Sequence, residues 1–229
     1  LGGLIGLMQG ASNSPETRLR EGAGRLGLDL SAVAVAQCLD FVELLLKWGR
    51  VHNLTATRDA GEIVTRHLLD SLTILPLVRG QHMLDIGSGA GFPALPLAIA
   101  RPDNRWVLIE ARQKRASFLE HVIRQLQLTG ITVINGRVED YRPQQLSDTL
   151  VVRAFAPLPE LVASTRHLWH ARATVIAMKG KEPFEELKAL PKEVQDCATV
   201  VPLAVPGLRA SRHAVVFSNL SGGAAGQRG

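Results

Sequence analysis

The residues of this chain best placed to do chemistry fall in one run, Met83-Leu84-Asp85-Ile86-Gly87-Ser88-Gly89-Ala90-Gly91-Phe92-Pro93. Glycines at every second position tolerate positive φ and let the backbone approach a ligand with no Cβ in the way. Pro93 suits the first turn of a helix, where its missing N–H costs nothing. A polar group resting on the loop would then meet free N–H groups at the start of that helix. The glycine spacing is one residue shorter than the G-x-G-x-x-G of dinucleotide-binding turns, with an acid two positions ahead of it. A tight strand–helix turn with no ligand is the plain alternative.

Further polar residues recur where strands are expected to end. Glu110 lies 25 positions after Asp85, where an acid can accept from both hydroxyls of a ribose. Otherwise it is an exposed carboxylate facing Lys114 at i+4. Val138-Glu139 follow the next strand, where a backbone N–H and a side chain can hold an adenine. Arg153 closes the strand after that, at the rim of the ligand crevice, and Lys179-Gly180-Lys181 closes another. Lys181 reads as a solvated strand end. Arg66 and Asp70, like His67 and Ser71, are i and i+4 on one helix, which predicts a surface ion pair between Arg66 and Asp70. Arg112, Lys114, Arg115 and Arg124 make the helix after Glu110 basic. With few aromatics to stack on, RNA contacts there would be to phosphate and shape. No nucleophile–base pair, metal spacing or paired acids stand out.

The elements that must position these groups are given by periodicity. Pro15 to Leu26 predicts a first helix. Ser31 caps a second, with Val35, Leu39, Val42, Leu45, Leu46 and Trp48 at helical spacing, ending near Gly49. Val51 to Thr55 is a polar connection. Asp59 caps a third helix that ends before Pro76. The run ending at Asp85 is a strand apolar enough to be covered on both faces. Ala94 to Ala100 is a helix that packs back on it. Strands at Arg105–Glu110, Ile131–Asn135, Leu150–Arg153 and Thr174–Met178 alternate with helices at Lys114–Leu128, Leu158–Trp169 and Phe184–Leu190. Arg137 to Ser147 is a polar loop, and Val194–Val201 and His213–Phe217 are two closing strands. Such alternation implies an α/β fold: a mostly parallel sheet with helices on both faces, binding ligands at the carboxyl ends of its strands. The domains expected are a ragged start over 1–14, a helical extension over 15–78, a ligand-binding α/β domain over 79–219 and a disordered tail over 220–229.

Composition sets the bounds. The 229 residues are 46% hydrophobic and 21% charged, as in a soluble globular protein. A formal net charge of +5 favours an acidic partner such as RNA. Cys38 and Cys197 are in no metal or redox spacing and read as reduced thiols of a cytoplasmic protein. No apolar run reaches the roughly 18 residues of a membrane span, so no membrane partner is expected. The apolar start, Leu1 to Met8, lacks the basic flank of a signal peptide.

The D-x-G-x-G-x-G run resembles the first motif of class I S-adenosylmethionine-dependent methyltransferases, which implies a Rossmann-like sheet with Asp85 beside the cofactor's cationic methionine end. Taken together, several stretches resemble one family, the bacterial 16S ribosomal RNA small-subunit methyltransferase G, also called glucose-inhibited division protein B. They are Trp48 with Asn53-Leu54-Thr55, Arg66 to Leu72, Leu84 to Pro96, Arg101-Pro102, Lys114-Arg115 with Phe118-Leu119, Arg137-Val138-Glu139, Arg153-Ala154-Phe155, Lys179-Gly180 and Arg212-His213. They run in order over about residues 20 to 218.

The resemblance implies N7-methylation of a guanine in the 530 loop of 16S rRNA, with S-adenosylmethionine as donor. The substrate would be 16S rRNA or a small ribosomal subunit precursor, and the enzyme a monomer without metal. It carries cofactor contacts to Gly87, Phe92, Val138, Glu139 and Arg153, to which the glycine-loop reading adds Asp85, Ser88, Gly89 and Glu110. No catalytic residue is assigned. Ala94 stands where the family usually has a further glycine, and Val152 where it often has serine. The alternatives are a methyltransferase for another substrate, a nicotinamide dehydrogenase, and a non-catalytic RNA-binding or assembly protein. The shortened glycine spacing disfavours the dehydrogenase. The retained Asp85, glycines and Glu110 disfavour the non-catalytic protein.

Overall fold

The computed structural model describes residues 14–52 and 55–220, the side chains of 50–52 excepted. Expectations for the start of the chain up to residue 13, for Asn53-Leu54 and for 221–229 lie outside these. Helix α1, Pro15–Arg25, is capped by Ser14, whose hydroxyl accepts from the Thr17 N–H at 3.1 Å. Helix α2, Ala32–His52, is capped by Ser31, which accepts from the Ala34 N–H at 3.1 Å. It does not stop at Gly49 as expected but runs on to His52. Glycine lowers helix propensity without ending a helix unless it turns to positive φ, and Gly49 does not.

The third helix, α3, has three pieces: α-helical Ala60–Ile63, a π-helical segment Val64–Leu69, and α-helical Asp70–Leu72. The Asp59 carboxylate caps it, accepting from the Glu62 N–H at 2.7 Å. A short 3₁₀ turn, Leu75–Leu77, leads into the sheet.

Strands β1 (His82–Ile86), β2 (Arg105–Glu110), β3 (Ile131–Asn135), β4 (Thr149–Arg153) and β5 (Thr174–Lys179) pair in parallel. Between them lie α4 (Ala94–Ala100), α5 (Gln113–Gln125) and α6 (Leu158–Thr165). After β5 come α7 (Phe184–Lys188), α8 (Lys192–Gln195), β6 (Ala198–Pro202) and β7 (His213–Phe217). The seven strands stand in the order β3-β2-β1-β4-β5-β7-β6, with β7 antiparallel to both neighbours. The strand expected from Val194 begins only at Ala198, because Pro191 opens a helical turn that buries Val194. Among the described residues no helix is long and apolar enough to cross a membrane.

The sheet is covered on both faces. On one, Leu19, Phe41, Leu45, Leu68, Leu97 and Phe118 from α1–α5 meet Met83, Trp106, Leu108, Val151 and Ile176. On the other, Leu158, Leu161, Trp169 and Val194 meet Leu84, Ile86, Leu150, Val152, Val175 and Ala177. Each such side chain contributes about 1.5–3 kcal/mol of hydrophobic stabilisation. Alternation along the strands places Asp85 on the face of Met83 and Arg153 on that of Val151, so both charged groups face the N-terminal helices. Cys38 and Cys197 are free thiols, and burial pushes the Cys38 thiol up to about 12, which leaves it unreactive.

Candidate active site

The chain order reverses between β1 and β4, both paired in parallel, and the crevice at their carboxyl ends is where this architecture binds ligands. The glycine turn leaves β1 there. Gly87, Gly89 and Gly91 have φ of +71°, +57° and +93°, values a side chain would strain. Gly91 is also wedged: a Cβ would lie 2.4 Å from Leu95 Cδ1. Most of the N–H groups expected to be free on this loop are already engaged. The Gly87 and Ser88 amides donate to the Ile109 carbonyl at 2.9 and 3.1 Å, Gly91 to the Ser88 carbonyl at 2.7 Å, and Gly89 to Glu110 Oε2 at 2.8 Å. The next helix begins at Ala94, with Pro93 as its cap rather than its first residue. The loop is thus chiefly a shaped floor, with few open donors.

Glu110 is 4% exposed, and its other oxygen accepts from the Arg112 N–H at 2.8 Å. It clamps the glycine loop to the start of α5, and no pair with Lys114 forms. Each carboxylate oxygen has one backbone donor and a lone pair to spare. Asp85, one turn of chain before the loop, is fully buried, and neither carboxylate oxygen has a hydrogen-bond partner. Burial pushes its carboxyl up to about 7, and the negative charge of Glu110 adds to the rise. The Ser88 hydroxyl, which donates to the Asp85 backbone carbonyl at 3.3 Å, and the Arg153 guanidinium oppose it.

At the end of β4, Arg153 is held by the N-terminal helices. One guanidinium nitrogen donates to His67 Nδ1 at 2.7 Å and to the Arg66 carbonyl at 3.2 Å, and sits 3.5 Å from Asp70 Oδ2. Arg212, just before β7, places Nε 3.2 Å from Asp70 Oδ1. Asp70 is therefore a buried carboxylate bridging two arginines, 2% exposed, and not the surface partner of Arg66. Arg66 pairs instead with Glu62 at 2.8 Å, and Ser71 donates to the His67 carbonyl at 2.6 Å. Burial outweighs the two arginines and holds the Asp70 carboxyl above its ordinary range. His67 stacks on Phe92 with ring centroids 5.0 Å apart, and the Arg153 guanidinium lies 5.7 Å over the same Phe92 ring. Burial, helped by Arg153, lowers His67 to about 4. An arginine can only donate, so Nδ1 accepts and the proton of this neutral imidazole resides on Nε2.

The candidate residues divide among three neighbouring hollows. Gly87, Glu110, Val138 and Glu139 line a cavity of about 350 Å³ at the ends of β1–β3, with Arg112, Arg115 and Arg137. Arg153 lines a second, of about 300 Å³, with Asp70, Lys179 and Arg212. Phe92 lines a third, of about 470 Å³, with His67, Arg66 and Thr57. Asp85, Ser88 and Gly89 support the floor without lining these hollows. Val138 and Glu139 open a 3₁₀ turn, Val138–Asp140, with Val138 buried. Lys179 is bound rather than solvated, donating to Glu186 at 2.7 Å and to the Ala156 carbonyl at 3.1 Å, whereas Lys181 is exposed. Among the described residues no three His, Cys, Asp or Glu gather as a metal site.

Asp70, His67 and Arg212 were missed as site residues. They come from segments remote in the chain, and a buried charge is not legible in a helix read as one polar face. Phe155 was also missed, although it lines both the first and second hollows. As a cradle, the residues suit a ligand with hydroxyls for Glu110 and a planar ring near Val138, and the buried Asp85 behind the loop favours positive charge nearby.

A family model described as rRNA small subunit methyltransferase G matches residues 34–215. The chain is 45% identical over 200 residues to ribosomal RNA small subunit methyltransferase G of Methylobacillus flagellatus, covering 87% of this chain and 96% of that one. It is 44% identical over 201 residues to the protein of that name from Ectopseudomonas mendocina, covering 87% and 94%. Among solved structures, the O-methyltransferase TomG from Streptomyces achromogenes, in complex with SAM, superposes with a TM-score of 0.55 at 15% identity, covering 84% of this chain and 92% of that one. At that identity the likeness concerns the fold, a class I methyltransferase sheet.

Proposed function

This chain belongs to the rRNA small subunit methyltransferase G family, and on that footing we propose that it methylates N7 of a guanine in the 530 loop of 16S rRNA, using S-adenosylmethionine. The substrate is then 16S rRNA or a small-subunit precursor, met in the cytoplasm. The observation that carries the reading is the pairing, at one sheet switch point, of the Glu110–Val138 hollow with the Arg153–Asp70–Arg212 hollow.

When bound, S-adenosylmethionine supplies an electrophilic methyl on a sulfonium whose departure leaves a neutral thioether. The residues of the chain hold and orient. Glu110 accepts the ribose hydroxyls on its spare lone pairs. Val138 and Glu139 flank the adenine. Gly87, Ser88 and Gly89 give the floor its shape. Asp85, buried behind the loop, favours the ammonium through its charge and not by direct contact, and Phe92 and Arg153 bound the methionine end, where Arg153 Nη1 is buried without a partner.

Guanine N7 has an in-plane lone pair and no proton, so alignment rather than base catalysis makes the nucleophile effective. The residues agree with this. His67 has its acceptor nitrogen occupied by Arg153, and Asp85 is sealed from solvent. The test is incubation of unmodified 16S rRNA with the protein and S-adenosylmethionine, then nuclease digestion and mass spectrometry. One 7-methylguanosine in the 530-loop fragment is expected. Methyl on N1 or N2, where a proton must leave, or no RNA methylation, overturns the reading.

A further inference from the structure

Phe155 takes no part in the core, yet it stands where the two hollows meet. It is 37% exposed in a chain whose other phenylalanines near the site are buried. Its ring lies against the floor of the crevice: a Cβ on Gly87 would fall 2.8 Å from Phe155 Cδ2. It lines the Glu110–Val138 hollow on one side and the Arg153–Lys179 hollow on the other. The residue before it, Ala154, has φ of +52°, a left-handed conformation that costs a non-glycine residue on the order of 1 kcal/mol or more and persists where surroundings enforce it. That turn lifts the phenyl out of the β4 line and leaves part of it bare to the crevice.

We propose that the exposed surface of Phe155 is the platform on which the target guanine stacks, rather than a filler over Gly87 or a support for the cofactor's adenine. The adenine-sized end of the crevice, at Val138 and Glu139, lies after β3, which β2 and β1 separate from β4 in the sheet. What remains beside the ring is the hollow of about 300 Å³ that Arg153, Lys179 and Arg212 line together with Asp70. A base recognised in RNA is splayed from its neighbours and stacked on an aromatic face. Phe155 is the aromatic side chain that lines this hollow. It is a positioning residue, acting through the base it supports.

The inference rests on the methyl-transfer reading, and the experiment separates the two. Steady-state methylation of a 16S rRNA fragment is measured for wild type, Phe155→Leu and Phe155→Trp, with S-adenosylhomocysteine affinity by calorimetry for each. Leucine keeps bulk over Gly87 but loses the π face, and tryptophan keeps both. Phe155→Leu is expected to lose roughly 5- to 100-fold in kcat/KM for RNA, the range for one base–aromatic stack. Its S-adenosylhomocysteine affinity should stay within about twofold of wild type, and Phe155→Trp should recover most of the rate. Wild-type turnover with Phe155→Leu unimpaired overturns the stacking role alone. So does a parallel fall in S-adenosylhomocysteine affinity, which would give the ring to the adenosine. No methylation by the wild type overturns both readings.

Discussion

Asp85 works against folding, and on the proposed function it does so in favour of binding. Its carboxyl, raised by burial from 3.8 to about 7, is protonated more readily in the folded chain than in the unfolded one. The folded state therefore loses stability as pH climbs from about 4 to about 7 and regains none above. At one pKa unit per 1.36 kcal/mol the cost at pH 8 approaches roughly 4 kcal/mol as an upper bound. Asp85→Asn should raise the urea midpoint of the ligand-free protein at pH 8 and leave it unchanged near pH 4. Calorimetry should show S-adenosylhomocysteine binding strengthening in the wild type as pH rises through 7, and a weaker, flat response in the variant. An unchanged midpoint at pH 8 would refute the account. Asp85, the glycines and Glu110 were legible because strand, turn and acid succeed one another in the chain. The Arg153–Asp70–Arg212 bridge was not, since no local spacing links residues 70, 153 and 212.

At the scale of elements, α3 decides what the site can hold. Its apolar positions Ile63, Leu68, Leu69 and Leu72 fit a regular period, and so hid the π-helical turn over Val64–Leu69. Wide turns of this kind recur at functional sites. Here the i+4 pairing predicted for Arg66 and Asp70 fails, and Asp70 is turned inward between two guanidinium groups. Desolvation consumes much of the gain from those pairs, yet removing the carboxylate leaves Arg153 and Arg212 facing each other in partial burial. Asp70→Ala is expected to cost roughly 1–3 kcal/mol in urea unfolding at neutral pH. Adding Arg212→Met should restore part of it, because one of the two stranded charges is gone. If the double variant is no more stable than the single one, the bridge is not what Asp70 contributes. The short α8 was likewise hidden, since Val194 to Val201 has strand-like composition and only Pro191 hints at the helical turn.

At the scale of the molecule, the parallel sheet was readable from the alternation of strands and helices, while the order β3-β2-β1-β4-β5 and the insertion of β7 between β5 and β6 were not. The N-terminal helices share one continuous hydrophobic cluster with the sheet, from Leu19 and Leu45 to Trp106 and Ile176. Leu45→Ala, at a fully buried position, should cost roughly 2–5 kcal/mol, while the turnover number per folded molecule stays that of the wild type. Active-site titration beside a melting curve would check this, and a fall in turnover per folded molecule would contradict it. The shared cluster bears on how loss of function would look in a genetic screen. Inactivating substitutions should scatter through the first helices, far from the glycine turn, and act by thinning the supply of folded protein. Such alleles would be dose-sensitive and temperature-sensitive, whereas a lesion at the part-exposed Phe155 would be neither.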